Sequence, residues 1–188
     1  MTNIEPKPLP DLDAPLVPAK SAAGFTLGMA FSDVLTMIAL TQEVRFMKIP
    51  NIQEGYWELM ESSTGWIGEI RLRHFQHKNQ VYRSLAFKNL EIILDFAVSD
   101  LLYKITVGPG YRSKFGGIGI GDDVAGIGDG YTIEFNSIED DFIIHKDGEW
   151  VPGLHFVTDC KQPLDLCPKQ IVESISIHDV SLADVTGK

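Results

Sequence analysis

Cysteine is almost absent from this chain: Cys160 and Cys167, with six residues between them, are the only two. One pair cannot build the framework of bridges that staples small secreted folds, and the spacing is too wide for CxxC metal or redox chemistry. Two reduced thiols in a cytosolic protein are therefore expected. Long apolar runs are lacking as well. The longest mixed stretch, Met29 to Leu40, is interrupted by Ser32, Asp33 and Thr36, so no membrane span is expected. No basic segment followed by an apolar one opens the chain, so a secretory signal is not expected either.

Catalytic signatures are equally scarce. The glycine-rich run Gly117-Ile118-Gly119-Ile120-Gly121 does not fit GxGxxG, and no lysine follows at the spacing of a phosphate-binding loop. Asp122 and Asp123 come directly after it and would repel a phosphate. That segment reads instead as a tight turn before a short helix capped by Asp122 or Asp123. Asp122, Asp123 and Asp129 lack the alternating ligands and closing glutamate of an EF-hand. The histidines, His74, His77, His145, His155 and His178, form no zinc-ligand pattern. No serine sits in a GxSxG elbow. Neither a metal nor a cofactor is expected. The one acid–base pair worth weighing is His145 with His155, facing each other across neighbouring strands close to carboxylates, as a small hydrolase would need.

The residues that are present describe a globular chain of 188 residues with 44% hydrophobic content, enough for one domain with its own core. Residues 1–20 hold Pro6, Pro8, Pro10, Pro15 and Pro18 and read as a flexible tail, which an adaptor would use as a proline-rich recognition segment. Residues 21–188 read as a single α+β domain. Ser32-Asp33 offers an N-cap, and Val34, Leu35, Met37 and Ile38 give a helical stripe ending near Thr41.

Beyond that helix the apolar period shortens to two. Strands are predicted at Val44–Lys48, Tyr56–Glu61, Trp66–Arg73, Val81–Phe87, Leu90–Phe96 and Leu101–Val107. After the breaker Val107-Gly108-Pro109-Gly110 come Tyr131–Phe135, Phe142–His145, Leu154–Val157 and Ile171–Ile177. In Trp66–Arg73 the alternation puts Ile70 and Leu72 on one face and Glu69, Arg71 and Arg73 on a wet one. The fold expected is a mostly antiparallel sheet with one or two short helices.

The possible internal halves, 21–107 and 108–180, echo each other. Gly24-Phe25-Thr26-Leu27-Gly28 matches Gly117-Ile118-Gly119-Ile120-Gly121, and Trp66-Ile67-Gly68-Glu69-Ile70 matches Trp150-Val151-Pro152-Gly153-Leu154. A duplicated helix-plus-meander unit would give this pattern, and so would chance likeness between glycine-rich turns.

Charge is the most uneven property. The net charge is −10, yet residues 1–120 hold twelve acidic and twelve basic side chains. Residues 121–150 hold nine acids against Lys146 alone: Asp122, Asp123, Asp129, Glu134, Glu139, Asp140, Asp141, Asp147 and Glu149. Most fall in predicted turns, so they should gather at one end or edge of the second set of strands. Such a patch repels nucleic acid and anionic lipid and attracts a basic protein surface. Tyr131, Phe142 and Trp150 lie among these acids and would supply the apolar anchors of an interface.

Leu101-Leu102-Tyr103-Lys104-Ile105-Thr106-Val107, then Gly110-Tyr111-Arg112-Ser113-Lys114 and Gly119-Ile120-Gly121, lead into an acidic strand pair and Pro152-Gly153-Leu154-His155-Phe156. Over roughly residues 90–157 this resembles small bacterial immunity proteins that neutralise the C-terminal toxins of polymorphic (Rhs or type VI secretion) effectors. The resemblance implies a cytoplasmic protein without a cofactor that occludes the active site of a cognate toxin. It transfers no functional residue by motif, so the expected interface rests on the charge pattern.

Overall fold

Period-two patterning dominates the fold, as the alternation predicts. The computed structural model describes residues 8–47, 64–75 and 78–183. Within them a short hairpin, β1 (Ser21–Ala22) and β2 (Phe25–Thr26), precedes one α-helix, α1 (Phe31–Ala39). Nine strands follow: β3 (Val44–Met47), β4 (Trp66–Phe75), β5 (Lys78–Phe87), β6 (Ile92–Phe96), β7 (Leu102–Val107), β8 (Tyr131–Asn136), β9 (Asp141–Lys146), β10 (Glu149–Thr158) and β11 (Val172–His178). They form a single sheet in the order β3-β4-β5-β6-β7-β11-β10-β9-β8. Only β3 and β4 run parallel; every other pair is antiparallel. This is the α+β, mostly antiparallel class expected. The strand predicted at Tyr56–Glu61 lies outside the described residues.

One face of the sheet carries the core. In β6 the alternation buries Ile92, Leu94 and Phe96, and β7, β9, β10 and β11 add Ile105, Val107, Phe142, Ile144, Leu154, Phe156, Ile175 and Ile177. Val34 and Ile38 of α1, with Phe25 of β2, belong to the same cluster. Each such side chain contributes about 1.5–3 kcal/mol when fully withdrawn from water. Phe25 stands edge-on to Trp66, with ring centroids 5.8 Å apart. Among the described residues no helix is long and apolar enough to cross a membrane.

Four local expectations are corrected. Ser32 and Asp33 do not cap α1. Ala30 occupies the cap position without a side-chain bond, and Asp33 lies in the first turn, where its charge faces the positive end of the helix dipole. In β4 the wet and dry sides are not as the alternation suggests, because Glu69 is 2% exposed and Ile70 51%. The outer face is itself covered near Ile67 and Ala86, against which Leu90 and Ile93 pack, so neither face of β4 is uniformly wet there.

The proline-rich segment, from residue 8 onward, is not a tail. Leu16 is buried in the core, and Leu9 and Leu12 pack against it. Arg112 makes two 2.5 Å bonds to the Asp13 carboxylate, while the Tyr111 hydroxyl donates to the Ala14 carbonyl at 2.5 Å and accepts from the Ala23 amide at 3.0 Å. Finally, Cys160 and Cys167 are joined in a disulfide rather than left as free thiols.

The two candidate halves do not form separate sheets. β4–β7 and β8–β11 are two four-stranded meanders joined where β7 pairs antiparallel with β11. A duplicated meander would give this arrangement. The tryptophan echo does not follow it, since Trp66 opens the first strand of one meander and Trp150 lies in the third strand of the other.

Candidate functional site

The acidic segment builds one margin of the sheet: β8 is an edge strand, and β9 and β10 lie behind it. Asp147 and Gly148 form the turn joining β9 to β10, with φ values of +52° and +86°. Both positive values suit the tight hairpin turn that Asp-Gly favours, and that dipeptide is legible in the sequence. The Asp147 amide donates to the Gly130 carbonyl at 2.8 Å, which brings Asp129 beside this turn. Asp129, Asp147 and Glu149 thus lie at one end of the sheet, all exposed, and Trp150, 54% exposed, follows Glu149 in β10. Tyr131 stands at the same end, half-buried, edge-on to Phe115 and with the Lys146 ammonium 5.7 Å from its ring centre.

Glu139 and Asp140 are also exposed, but in the β8–β9 turn at the opposite end of these strands. A six-residue strand separates the two groups by roughly 17 Å at the usual rise per residue. These exposed acids therefore share an edge without sharing an end, the second of the two placements expected.

Four expected interface residues are occupied elsewhere. Phe142 is 1% exposed because the alternation of β9 turns it into the core, against Phe135. Asp141, its neighbour, is buried and bonded to His155 and Asn136. Neither is available as a surface anchor. Asp122 is paired with Lys114 at 2.8 Å and accepts from the Gly119 amide; these bonds hold its carboxyl below the ordinary range. Asp123 caps a short 3-10 turn, Val124–Gly126, through the Ala125 amide, as its place after the glycine run predicted. Sequence reasoning missed Ile138, which is 86% exposed between Asn136 and Glu139. The signal for it is an isolated apolar residue in an otherwise polar turn.

The two histidines proposed as an acid–base pair are not opposite each other. His145 is in register with Trp150, and His155 with Ile143, because β10 is irregular between Trp150 and His155. Each has its own carboxylate. His155 Nδ1 lies 2.7 Å from Asp141 Oδ2, whereas His145 Nε2 lies 3.4 Å from Glu134 Oε2, near enough for charge attraction but not aligned as a hydrogen bond. His178 stands edge-on to His155, with centroids 4.5 Å apart. Burial, reinforced by His155 and Lys104, pushes the His178 imidazole down to about 4. Among the described residues no three His, Cys, Asp or Glu side chains are gathered to hold a metal ion.

Compared with known proteins, the chain matches no family model, no curated protein and no solved structure.

Proposed function

We propose that this chain is an inhibitor of the immunity class, which binds a cognate toxin with a basic active-site surface and masks it through the β8–β10 margin. The observation that carries the reading is that exposed Asp129, Asp147 and Glu149 gather at the β9–β10 hairpin end of the sheet, the end that also carries exposed Trp150. Exposed carboxylates accelerate encounter with a cationic surface, and a central aromatic supplies the desolvated contact that slows dissociation. Glu139, Asp140 and Ile138 would extend the contact at the far end of the same edge. The sequence resemblance over residues 90–157 supports the immunity assignment. Nucleic acid and membrane are disfavoured as partners by the same charge.

The test is co-expression with the toxin encoded beside this chain. The wild type should protect growth. A variant carrying Asp129→Lys, Asp147→Lys and Glu149→Lys with Trp150→Ala should not, although it folds. Undiminished protection by that variant would remove the assignment of this margin.

The reading carries with it a cytoplasmic location, and the Cys160–Cys167 bond weighs against that, since disulfides persist in oxidising compartments. Counting free thiols in protein trapped directly from its native cells separates the alternatives. Two free thiols support the cytoplasm, and none moves the encounter with the toxin to an oxidising compartment. The hydrolase alternative loses its paired histidines to separate carboxylates, and the adaptor alternative loses most of its proline-rich segment to the body of the fold.

A further inference from the structure

The outer side of β8 is an open sheet edge whose free groups can be identified. The Asp147 amide bonds to the Gly130 carbonyl, so Gly130 and Asp147 form a hydrogen-bonded pair. Bonded and non-bonded pairs alternate along an antiparallel ladder. The register Thr132↔His145, Glu134↔Ile143 and Asn136↔Asp141 therefore directs the backbone groups of Thr132, Glu134 and Asn136 toward β9. Those of Tyr131, Ile133 and Phe135 point away from the sheet. The Tyr131 amide is taken by the Gly128 carbonyl at 3.2 Å. The outward N–H and C=O groups of Ile133 and Phe135 have no partner among the described residues. A sheet edge left in this state is a template for another strand.

Charge decides which strand. Glu134, between these two residues, is 68% exposed, and Asp129, Glu139 and Asp140 flank β8 at its two ends. A second copy pairing antiparallel through Ile133 and Phe135 would set Glu134 directly opposite its own counterpart, and like charges in that position oppose pairing. A strand with alternate cationic side chains would meet Glu134 and the flanking acids with opposite charge.

We propose that β8 accepts an extended, lysine- or arginine-bearing segment of the partner protein as a tenth strand, hydrogen-bonded to Ile133 and Phe135. This rests on the β8–β10 margin being a protein-binding surface, and it specifies how the partner docks there. Main-chain bonds supply affinity in such additions, and alternate side chains supply selection.

The test uses the full chain and a synthetic nine-residue peptide alternating lysine and valine. A control peptide of identical sequence and charge is N-methylated on alternate residues, so that it cannot complete the ladder. The unmodified peptide should slow hydrogen exchange at the Ile133 and Phe135 amides at least ~10-fold, and the methylated one should bind at least ~10-fold more weakly. Glu134→Lys should weaken the unmodified peptide by a similar factor without lowering the melting temperature. Equal binding of the two peptides overturns strand addition, because charge alone would then account for it. Absence of exchange protection also overturns it, as does dimerisation of the chain through β8 without peptide. No toxin enters this experiment, so its outcome is separate from the growth assay. Lost protection of the amides with intact rescue removes only the docking mode, and lost rescue with intact amide protection removes only the inhibitor reading.

Discussion

His155 Nδ1 donates to Asp141 Oδ2 at 2.7 Å, joining strands β10 and β9 beneath a margin that is otherwise acidic and exposed. Asp141 also accepts from the Asn136 side-chain amide at 3.1 Å, so one buried carboxylate satisfies two donors on two neighbouring strands. Asp141→Ala would leave both partly buried donors without their acceptor and should cost about 1–3 kcal/mol. Asp140→Ala and Glu139→Ala, on exposed turn positions, should stay within about 0.5 kcal/mol of wild type. Urea denaturation of the three variants separates structural from surface acid. A neutral Asp141→Ala would show that the pair contributes nothing to the fold.

Acid should destabilise the protein through His178. Burial, then the His155 ring and Lys104, lower its pKa from 6.5 to about 4, while Asp141 and Asp179 act in the opposite sense. Between these values the unfolded chain binds a proton that the folded one does not. Stability is thus fully present above pH 6.5 and falls as the pH drops from 6.5 to 4. The imidazole is only half-buried, so solvent screening reduces the effect to the order of 1 kcal/mol. His178→Asn should flatten the stability curve across that window, as thermal melts at successive pH values would reveal. An unchanged slope would assign the pH dependence to other groups.

Strand placement was legible because burial on one face imposes a period of two, and β6, with Ile92, Leu94 and Phe96 buried, obeys it along its length. The same rule misled at Glu69 and Ile70, where the outer face is itself partly covered. The role of the proline-rich segment depends on contacts about a hundred residues away in sequence, such as Asp13 with Arg112, and no local pattern encodes those. The acidic bias was countable, but its division between two ends of β8 and β9 depends on which turns those strands connect. Asp141 was unreadable as a buried acid for a similar reason: its partner, His155, is supplied by another strand.

The β10–β11 connection is held from inside by Gln170, which is fully buried. Its amide accepts from the Thr158 hydroxyl at 2.6 Å and donates to the carbonyls of Gln162 and Cys167 at 2.6 and 2.9 Å. Gln170→Ala strands these groups and should cost about 2–3 kcal/mol. Opening the disulfide by replacing both cysteines with serine releases only a short loop, worth about 2.5 kcal/mol at most in chain entropy. Residual structure in the unfolded chain brings the measured loss below this figure. Denaturation of the two variants under matched conditions tests the ranking. A larger loss from the cysteine variant would make the bond, not the amide, the organiser of the loop.

Gly153 lies where three segments meet. Its carbonyl accepts from the Ala19 amide at 3.2 Å, and its φ of +70° belongs to the region that glycine alone occupies freely. A Cβ at this position would come within 2.8 Å of Ala19 Cα and would overlap the His178 carbonyl oxygen. Both obstacles are backbone, so no rotamer relieves them, and either the docked N-terminal segment or β11 has to move. Gly153→Ala should therefore cost about 2–4 kcal/mol, more than the conformational penalty alone. Because the residue lies in the irregular part of β10 between Trp150 and His155, the displacement should also reach the proposed binding margin. Hydrogen exchange on the variant should accelerate first at Ala19 and along β11, and acceleration confined to other strands would contradict this account of the crossing.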